Sequence, residues 1–485
     1  MQQLQSTSAS SVWSYFSTIC SIPHPSKHEK QLTDWIISWA KDHNIDCTKD
    51  EIGNLILRKP ATTGYESNTA VILQAHLDMV PQKNNDIEHD FTKDAIKMII
   101  DGEWLHADNT TLGADNGIGM ASCLAVLADD NIQHGPLEVL LTTDEETGMT
   151  GAFGLQADSL QGKILINTDS EQEGELYVGC AGGINVNIDL PFEVMESEPT
   201  YKAFEISIAG LKGGHSGCDI NLGRANAIKL LASALENLDA IPFNIAYFEG
   251  GSLRNAIPRE ATAVIVCDSQ YQNSLETVIN TLQLSLSSQF KDIEPNLAVT
   301  IKSSVLPSFI LTHQSQDNLI NSLQQCKNGV FMMDSHFSDV VQTSSNLGII
   351  TQNKQNPSRF QIQVLVRSQL EQEKQDIAEE ITVHFQSHNA TVRKDGNYPG
   401  WTPNMDSAVY SVMEEQYQAL FATKPKAMVI HAGLECGLFS DKYPHWDMIS
   451  FGPTIKFPHS PDEKVEIASV DKYWQLLVAT LAAID

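Results

Sequence analysis

The chain has 485 residues, more than one ordinary core accommodates, so at least two domains are expected. Its hydrophobic content of 42% and charged content of 19% are those of a globular protein. With 31 Lys+Arg against 61 Asp+Glu, the formal charge of -30 repels phosphate backbones and anionic membranes, so neither nucleic acid nor a membrane is an expected partner.

No apolar run approaches the ~18 residues of a spanning helix. The N-terminal MQQLQSTSAS has neither the basic start nor the apolar centre of a signal peptide. A cytoplasmic location is the resulting expectation. The eight cysteines are scattered and form no C-x-x-C pair. Free thiols are expected, and any bound metal must rest on His, Asp and Glu.

Residues up to about Asp46 read as two helices. Ser26-Lys27-His28-Glu29 fits a capping box for the second, and Leu32, Trp35, Ile36 and Trp39 form its apolar face. Strands follow at 52–58 and 70–74. The run Val71-Ile72-Leu73 marks a buried strand that ends in His76 and Asp78. Side chains two apart share a face, so the Asp78 carboxylate can orient the His76 imidazole for a metal. Taken alone, a histidine at a strand end is more often a hydrogen-bonded structural residue.

Residues 110–128 are a Gly-rich loop feeding a helix. The glycine spacing of G-A-D-N-G-I-G is not the dinucleotide fingerprint, and Asp115 inside it would repel a pyrophosphate. Asp115 is either a helix N-cap or a metal-bridging carboxylate at a loop–helix junction. Strand 137–143 leads into Asp144-Glu145-Glu146, and strand 163–167 into Asp169. A solvated acidic turn is the plain alternative for the triplet. In open α/β sheets, however, sites form at the carboxyl ends of strands. His76, Asp115, Glu145, Glu146 and Asp169 all fall in strand-end or loop positions of that kind.

From about 186 to about 396 the texture changes. Strand 204–210, helix 223–238, strands 242–250 and 259–268, helix 271–288 and strand 296–303 read as βαββαβ. Helix 315–327, strands 341–350 and 359–368, helix 371–388 and strand 390–395 read as a related αββαβ unit. Within this insert Gly213-Gly214-His215-Ser216-Gly217 holds a histidine among glycines, Asn255 lies between strands, and Arg367 ends one. A turn or surface role is the plain alternative for each. After a linker at 396–401, α/β texture returns with His431-Ala432-Gly433-Leu434-Glu435-Cys436-Gly437, a strand at 448–451 and a proline-stiffened loop holding His459.

Two histidines and several carboxylates, without thiolates, suit borderline or hard divalent ions. The inventory divides into His76 and Asp169 for one metal, Glu146 and His459 for another, and Asp115 between them. Glu145 is then a spare carboxylate able to take a water's proton. His215 can donate to an oxyanion, and Arg367 can hold a carboxylate bidentately.

The ordered motifs QAHLDM, LGADNGIG, TDEETGM, NTDSE, GGHSG, RNAIPRE, HAGLECG and FGPTIxxPHSPDE resemble the M20 metallopeptidases over essentially the whole chain. The resemblance implies an α/β zinc-exopeptidase-type catalytic domain, residues 1–186 and 398–485, interrupted by an α+β lid domain, residues 187–397, made of two ferredoxin-like units. It implies two Zn2+ per subunit, replaceable by Co2+ or Mn2+, on His76, Asp115, Glu146, Asp169 and His459. Glu145 resembles the general base and Asp78 the residue that orients His76. His215, Asn255 and Arg367 resemble substrate-binding residues of the lid. The implied reaction is hydrolysis of unblocked dipeptides, Xaa-His included, with broad specificity. The rivals are a tripeptidase, carboxypeptidase or amide deacylase on the same metals, and, in another class, a non-catalytic metal-binding protein. A homodimer is the expected assembly, although a doubled lid can mimic a partner.

Overall fold

A computed structural model describes residues 2–84, 86–238, 240–337, 339–352 and 358–485. The chain forms two compact units, one of Met1–Cys180, Trp401–Val429 and Leu434–Asp485, the other of Ala181–Gly400 and Ile430–Gly433. Each has its own core, as a chain of this length requires. The first gathers around Phe16, Ile36, Leu73, Leu124, Val139 and Leu477, the second around Ile206, Leu231, Ile265, Leu347, Ile362 and Phe385.

The first unit is built on an eight-stranded sheet among the described residues, in the order Asp46–Lys49, Leu55–Lys59, Leu137–Thr142, Val71–His76, Ile164–Asn167, Asp447–Ser450, Glu175–Cys180, Lys426–Ile430. Its middle is parallel: Val71–His76 pairs in parallel with both Leu137–Thr142 and Ile164–Asn167, which in turn pairs in parallel with Asp447–Ser450. Every residue of Val71–His76, Leu137–Thr142 and Ile164–Asn167 is buried, as parallel strands covered on both faces require. Their shared direction brings the segments carrying His76, Glu145 and Asp169 to one edge of the sheet. Helix Ala114–Ala128, rich in Ala, Gly and other small side chains, is buried along almost its whole length.

The N-terminal region departs from expectation. It holds three helices, Gln2–Gln5, Ser10–Cys20 and Lys30–Asp42, followed by an edge strand that the sequence pattern did not mark. The capping box does not form. Ser26 Oγ donates instead to Asp78 Oδ2 at 2.8 Å, while Glu29 Oε1 accepts from the backbone N–H groups of Lys27 and Asp144. A long-range carboxylate has won the Ser26 hydroxyl from the local helix end.

The second unit carries a nine-stranded antiparallel sheet among the described residues. Its first four strands lie in the order Ala298–Ser304, Tyr201–Ala209, Ala261–Asp268, Phe243–Gly250, the arrangement of a ferredoxin-like βαββαβ unit with helices Ala227–Glu236 and Gln272–Gln289. The αββαβ half is completed by a strand from elsewhere. Gly182–Pro191, which precedes the first half in the chain, pairs with both Arg359–Ser368 and Thr391–Tyr398. It thereby supplies the missing first strand, and both halves have the same strand order. Gly250 pairs with Ile350, which joins the halves edge to edge. No helix among the described residues is long and apolar enough to cross a membrane, and no disulfide joins any of the eight cysteines.

Candidate metal centre

In the first unit the expected residues converge. His76 Nε2 lies 3.1 Å from Asp115 Oδ1 and 3.3 Å from Asp169 Oδ1. His459 Nε2 lies 3.2 Å from Asp115 Oδ2 and 3.0 Å from Glu146 Oε1. Asp115 therefore presents one oxygen to each imidazole. Candidate ligand atoms of His76, Asp115 and Asp169 fall within 4.8 Å of one another, as do those of Asp115, Glu146 and His459, and those of His76, Glu145 and Glu146.

Asp115 is not the N-cap of its helix. Gly113 takes that place with φ 71°, a left-handed backbone that glycine adopts without strain. Asp115 itself has extended dihedrals inside the helix, and its peptide bond to Asn116 is cis. The Asn116 side chain donates to Asp169, so one short segment supplies one carboxylate and steadies another.

Asp78 orients this centre by a slightly different route from the one expected. The closest partner of His76 Nδ1 is the Asp78 carbonyl at 3.0 Å, with the carboxylate Oδ1 at 3.5 Å. The Asp78 carboxylate accepts from the backbone N–H groups of Glu145 at 2.9 Å and Glu146 at 3.2 Å, and from Ser26. One buried residue thus holds the His76 ring chiefly through its backbone carbonyl, and the turn that carries the base candidate through its carboxylate.

That arrangement tests the fit to metal. With Nδ1–H donating to the Asp78 carbonyl, neutral His76 turns a bare lone pair at Nε2 toward two carboxylates. A cation between them resolves the conflict. Without one the ring is driven to protonate: burial opposes its charge, but Asp169, Asp115 and Asp78 together raise it well above the usual histidine range. His459 behaves likewise; burial works against its charge, yet Asp115 and Glu146 lift it to about 11. Burial raises the carboxyls of Glu146 and Asp169, and it drives Glu145 well above the usual range with help from Asp169, Glu146 and Glu435. Asp115 goes the other way, because the two imidazoles outweigh its burial. Among the described residues no Lys or Arg forms an ion pair with Asp78, Asp115, Glu146 or Asp169. The donor set is short of positive charge and rich in imidazole and carboxylate, which suits divalent ions of the zinc type.

Behind the centre lies a group the sequence did not single out. Glu435 is fully buried and accepts from Gln74 Nε2 at 2.6 Å and Thr142 Oγ1 at 2.7 Å, on the two strands that lead to His76 and Glu145. Burial pushes its carboxyl up to about 8. Its motif was visible in the sequence, but nothing in its spacing distinguished this glutamate from a helix-start acid.

In the second unit His215 and Arg367 lie together, and Asn255 is tied to the same turn through its backbone carbonyl. The backbone N–H groups of Gly217 and Cys218 donate to His215 Nδ1, so the neutral ring carries its proton on Nε2. That nitrogen lies 3.4 Å from Arg367 Nη2. Two donors thus face the same place, which favours an electron-rich oxygen there. Arg367 is 4% exposed, donates to the Ser216 and Tyr398 hydroxyls, and has no carboxylate partner among the described residues. A buried guanidinium in that state is costly unless an anionic ligand meets it. The Asn255 carbonyl accepts from Ser216 N, and Asn346 Nδ2 donates to both flanking carbonyls, those of Arg254 and Ala256. His431 joins this unit through Ser344 Oγ, 2.7 Å from its Nε2. A side chain on Gly217 would stand 1.8 Å from the His431 carbonyl oxygen, so this turn admits only glycine.

The sequence model described as "Peptidase family M20/M25/M40" matches residues 72–483. The chain belongs to this family. Among relatives of this M20 chain, the cytosol non-specific dipeptidase of Escherichia coli (strain K12) is 48% identical over 485 residues, 100% of this chain and 99% of that one. The crystal structure of aminoacylhistidine dipeptidase from Vibrio alginolyticus matches with TM-score 0.87 and 46% identity, covering 99% of this chain and 98% of that one. Aminopeptidase PepT from Bacillus cereus ATCC 10987 matches with TM-score 0.58 at 17% identity over 98% of this chain and 99% of that one, a likeness of fold. The α/β M20 fold expected from the sequence is the one observed.

Proposed function

We propose that this M20 chain hydrolyses the peptide bond of unblocked dipeptides, Xaa-His among them, at a dinuclear metal centre. The observation that carries this is Asp115, which offers one carboxylate oxygen to each of two histidine-centred groups while Glu145 stands beside them. The dipeptidase names of relatives at 48% and 46% identity over nearly the full chain support the substrate class. The name of the E. coli relative also supports a cytosolic site of action.

In this reading His76 and Asp169 would hold one metal and His459 and Glu146 the other, with Asp115 able to serve both. Zinc is the ion the donor set suits, with Co2+ or Mn2+ as substitutes. The chemistry such ions would supply there is polarisation of the scissile carbonyl and a lowered pKa of water. Glu145 takes the attacking water's proton and returns it to the departing amine nitrogen. Its burial favours holding that proton between the two transfers. His215 donates Nε2–H to the oxyanion that develops on the carbonyl oxygen. Arg367 anchors the substrate's free carboxylate, and Asn255 helps orient the substrate. The unit with the parallel sheet would be the catalytic part, expected at 1–186 and 398–485, and the unit of Ala181–Gly400 and Ile430–Gly433 would be the lid, expected at 187–397. We further propose a homodimer.

The test is product analysis with Ala-His, Ala-Ala-His and N-acetyl-Ala-His. Cleavage of Ala-His alone is expected, abolished by a chelator and restored by Zn2+ or Co2+. Turnover of only the blocked or longer peptide would transfer the chain to another M20-type reaction. Fewer than about one bound divalent ion per purified chain would favour a non-catalytic cation binder.

A further inference from the structure

The loop that carries His459 contains a second acid that neither the ligand set nor the base uses. Glu463 is 2% exposed. Its Oε2 accepts from the backbone N–H groups of Leu112 at 2.7 Å and Gly113 at 3.0 Å. Its Oε1 accepts from Ala114 N at 2.8 Å, with Asp115 N at 3.4 Å. Four successive N–H groups at the start of helix Ala114–Ala128 therefore converge on one carboxylate. A helix start is usually satisfied by its own neighbours. Here no side-chain cap comes from the local N-cap position, and the acceptor arrives from 348 residues further along the chain.

The two ends of this contact are the two ends of the candidate bridge. Glu463 N donates to the Ser460 carbonyl at 2.9 Å, which closes a turn directly after His459. Lys464–Glu466 is then fixed as a strand on Trp104–Ala107. His459 and Glu463 thus belong to one short, anchored segment. On the other side, Glu463 grips the backbone up to Asp115, whose carboxylate faces His459 at 3.2 Å. The loops are tied once through backbone and once through side chains.

We propose that Glu463 is a positioning residue: it ties the Asp115 loop to the His459 loop and sets the separation at which one carboxylate can bridge two metal ions. The proposal rests on the dinuclear reading above. A bridging ligand tolerates little displacement, because the ions it joins sit only ~3.5–4 Å apart. A carboxylate suits the task because both of its oxygens accept. Glu463→Gln would turn an NH2 group toward backbone N–H donors and leave them unsatisfied in a buried place.

The experiment is calorimetric titration of the metal-stripped full chain with Co2+, read together with the visible Co2+ spectrum and with kcat and KM for Ala-His. The wild-type chain is expected to take up two ions. Glu463→Gln is expected to bind one of them at least about tenfold more weakly, with an altered spectrum and a fall in kcat much larger than the change in KM. A Glu463→Gln chain that melts earlier but keeps wild-type affinity for both ions, spectrum and kcat would overturn the proposal and leave Glu463 a helix cap only. Should Glu463→Gln fail to fold, Glu463→Asp is read by the same titration; its shorter carboxylate is expected to weaken one ion in the same way, and wild-type binding would overturn the tie. A wild-type chain that takes up fewer than two ions would instead overturn the dinuclear reading itself.

Discussion

Glu145→Ala is expected to lower kcat by about 10²–10⁴-fold, the usual worth of a positioned general base, while both metals stay bound. The reason is local. Asp78 fixes the backbone N–H of Glu145, so the residue is held at the strand end whatever its side chain. Desolvation and the negative charges of Asp169, Glu146 and Glu435 raise the proton affinity of its half-buried carboxyl. The neighbouring Glu146 faces His459 at 3.0 Å and has the geometry of a ligand. The check is metal content by atomic absorption alongside kcat. Since Glu145 also lies within reach of His76 and Glu146, a variant that loses an ion along with activity would move Glu145 into the ligand set.

Arg367→Ala is expected to raise KM for a dipeptide by about 10- to 100-fold, corresponding to ~1.5–3 kcal/mol for hydrogen bonds to a charged group. Circular dichroism should remain that of the folded chain. The guanidinium is buried, pairs with no carboxylate among the described residues, and shares its free side with the His215 Nε2–H donor. In the proposed reading the substrate's free carboxylate would satisfy Arg367, while His215 would serve the oxygen of the scissile carbonyl beside it. Steady-state kinetics with Ala-His check this directly; an unchanged KM would remove Arg367 from the substrate site.

Much of the first unit was legible because its signals are local. A continuous apolar run that stops at His76, and acids that follow other buried runs, mark strand ends without any knowledge of the sheet. Whether those ends meet depends on parallel register, such as His76 opposite Thr142, which no local pattern encodes. The same limit hid Gly182–Pro191. Its partners lie beyond the whole first half of the insert, so the second half read as αββαβ until the pairing was visible. Ser26 and Glu463 were obscured for a related reason. Each has a plausible local use, in a capping box or an acidic loop, and each is in fact held by a group far away in the chain. Asp115 ran the other way: the local N-cap reading was available, and the long-range contacts to two imidazoles displace it.

The central claim is that the segments carrying His76, Asp115, Glu146, Asp169 and His459 gather around one pair of metal ions. Anomalous diffraction from a crystal of the zinc-loaded chain, recorded at the zinc edge, tests it most directly. Two peaks are predicted, ~3.5–4 Å apart, one against His76 and Asp169, the other against Glu146 and His459, with an Asp115 oxygen on each. A single peak remote from these side chains, or a pair that Asp115 does not touch, would contradict the account.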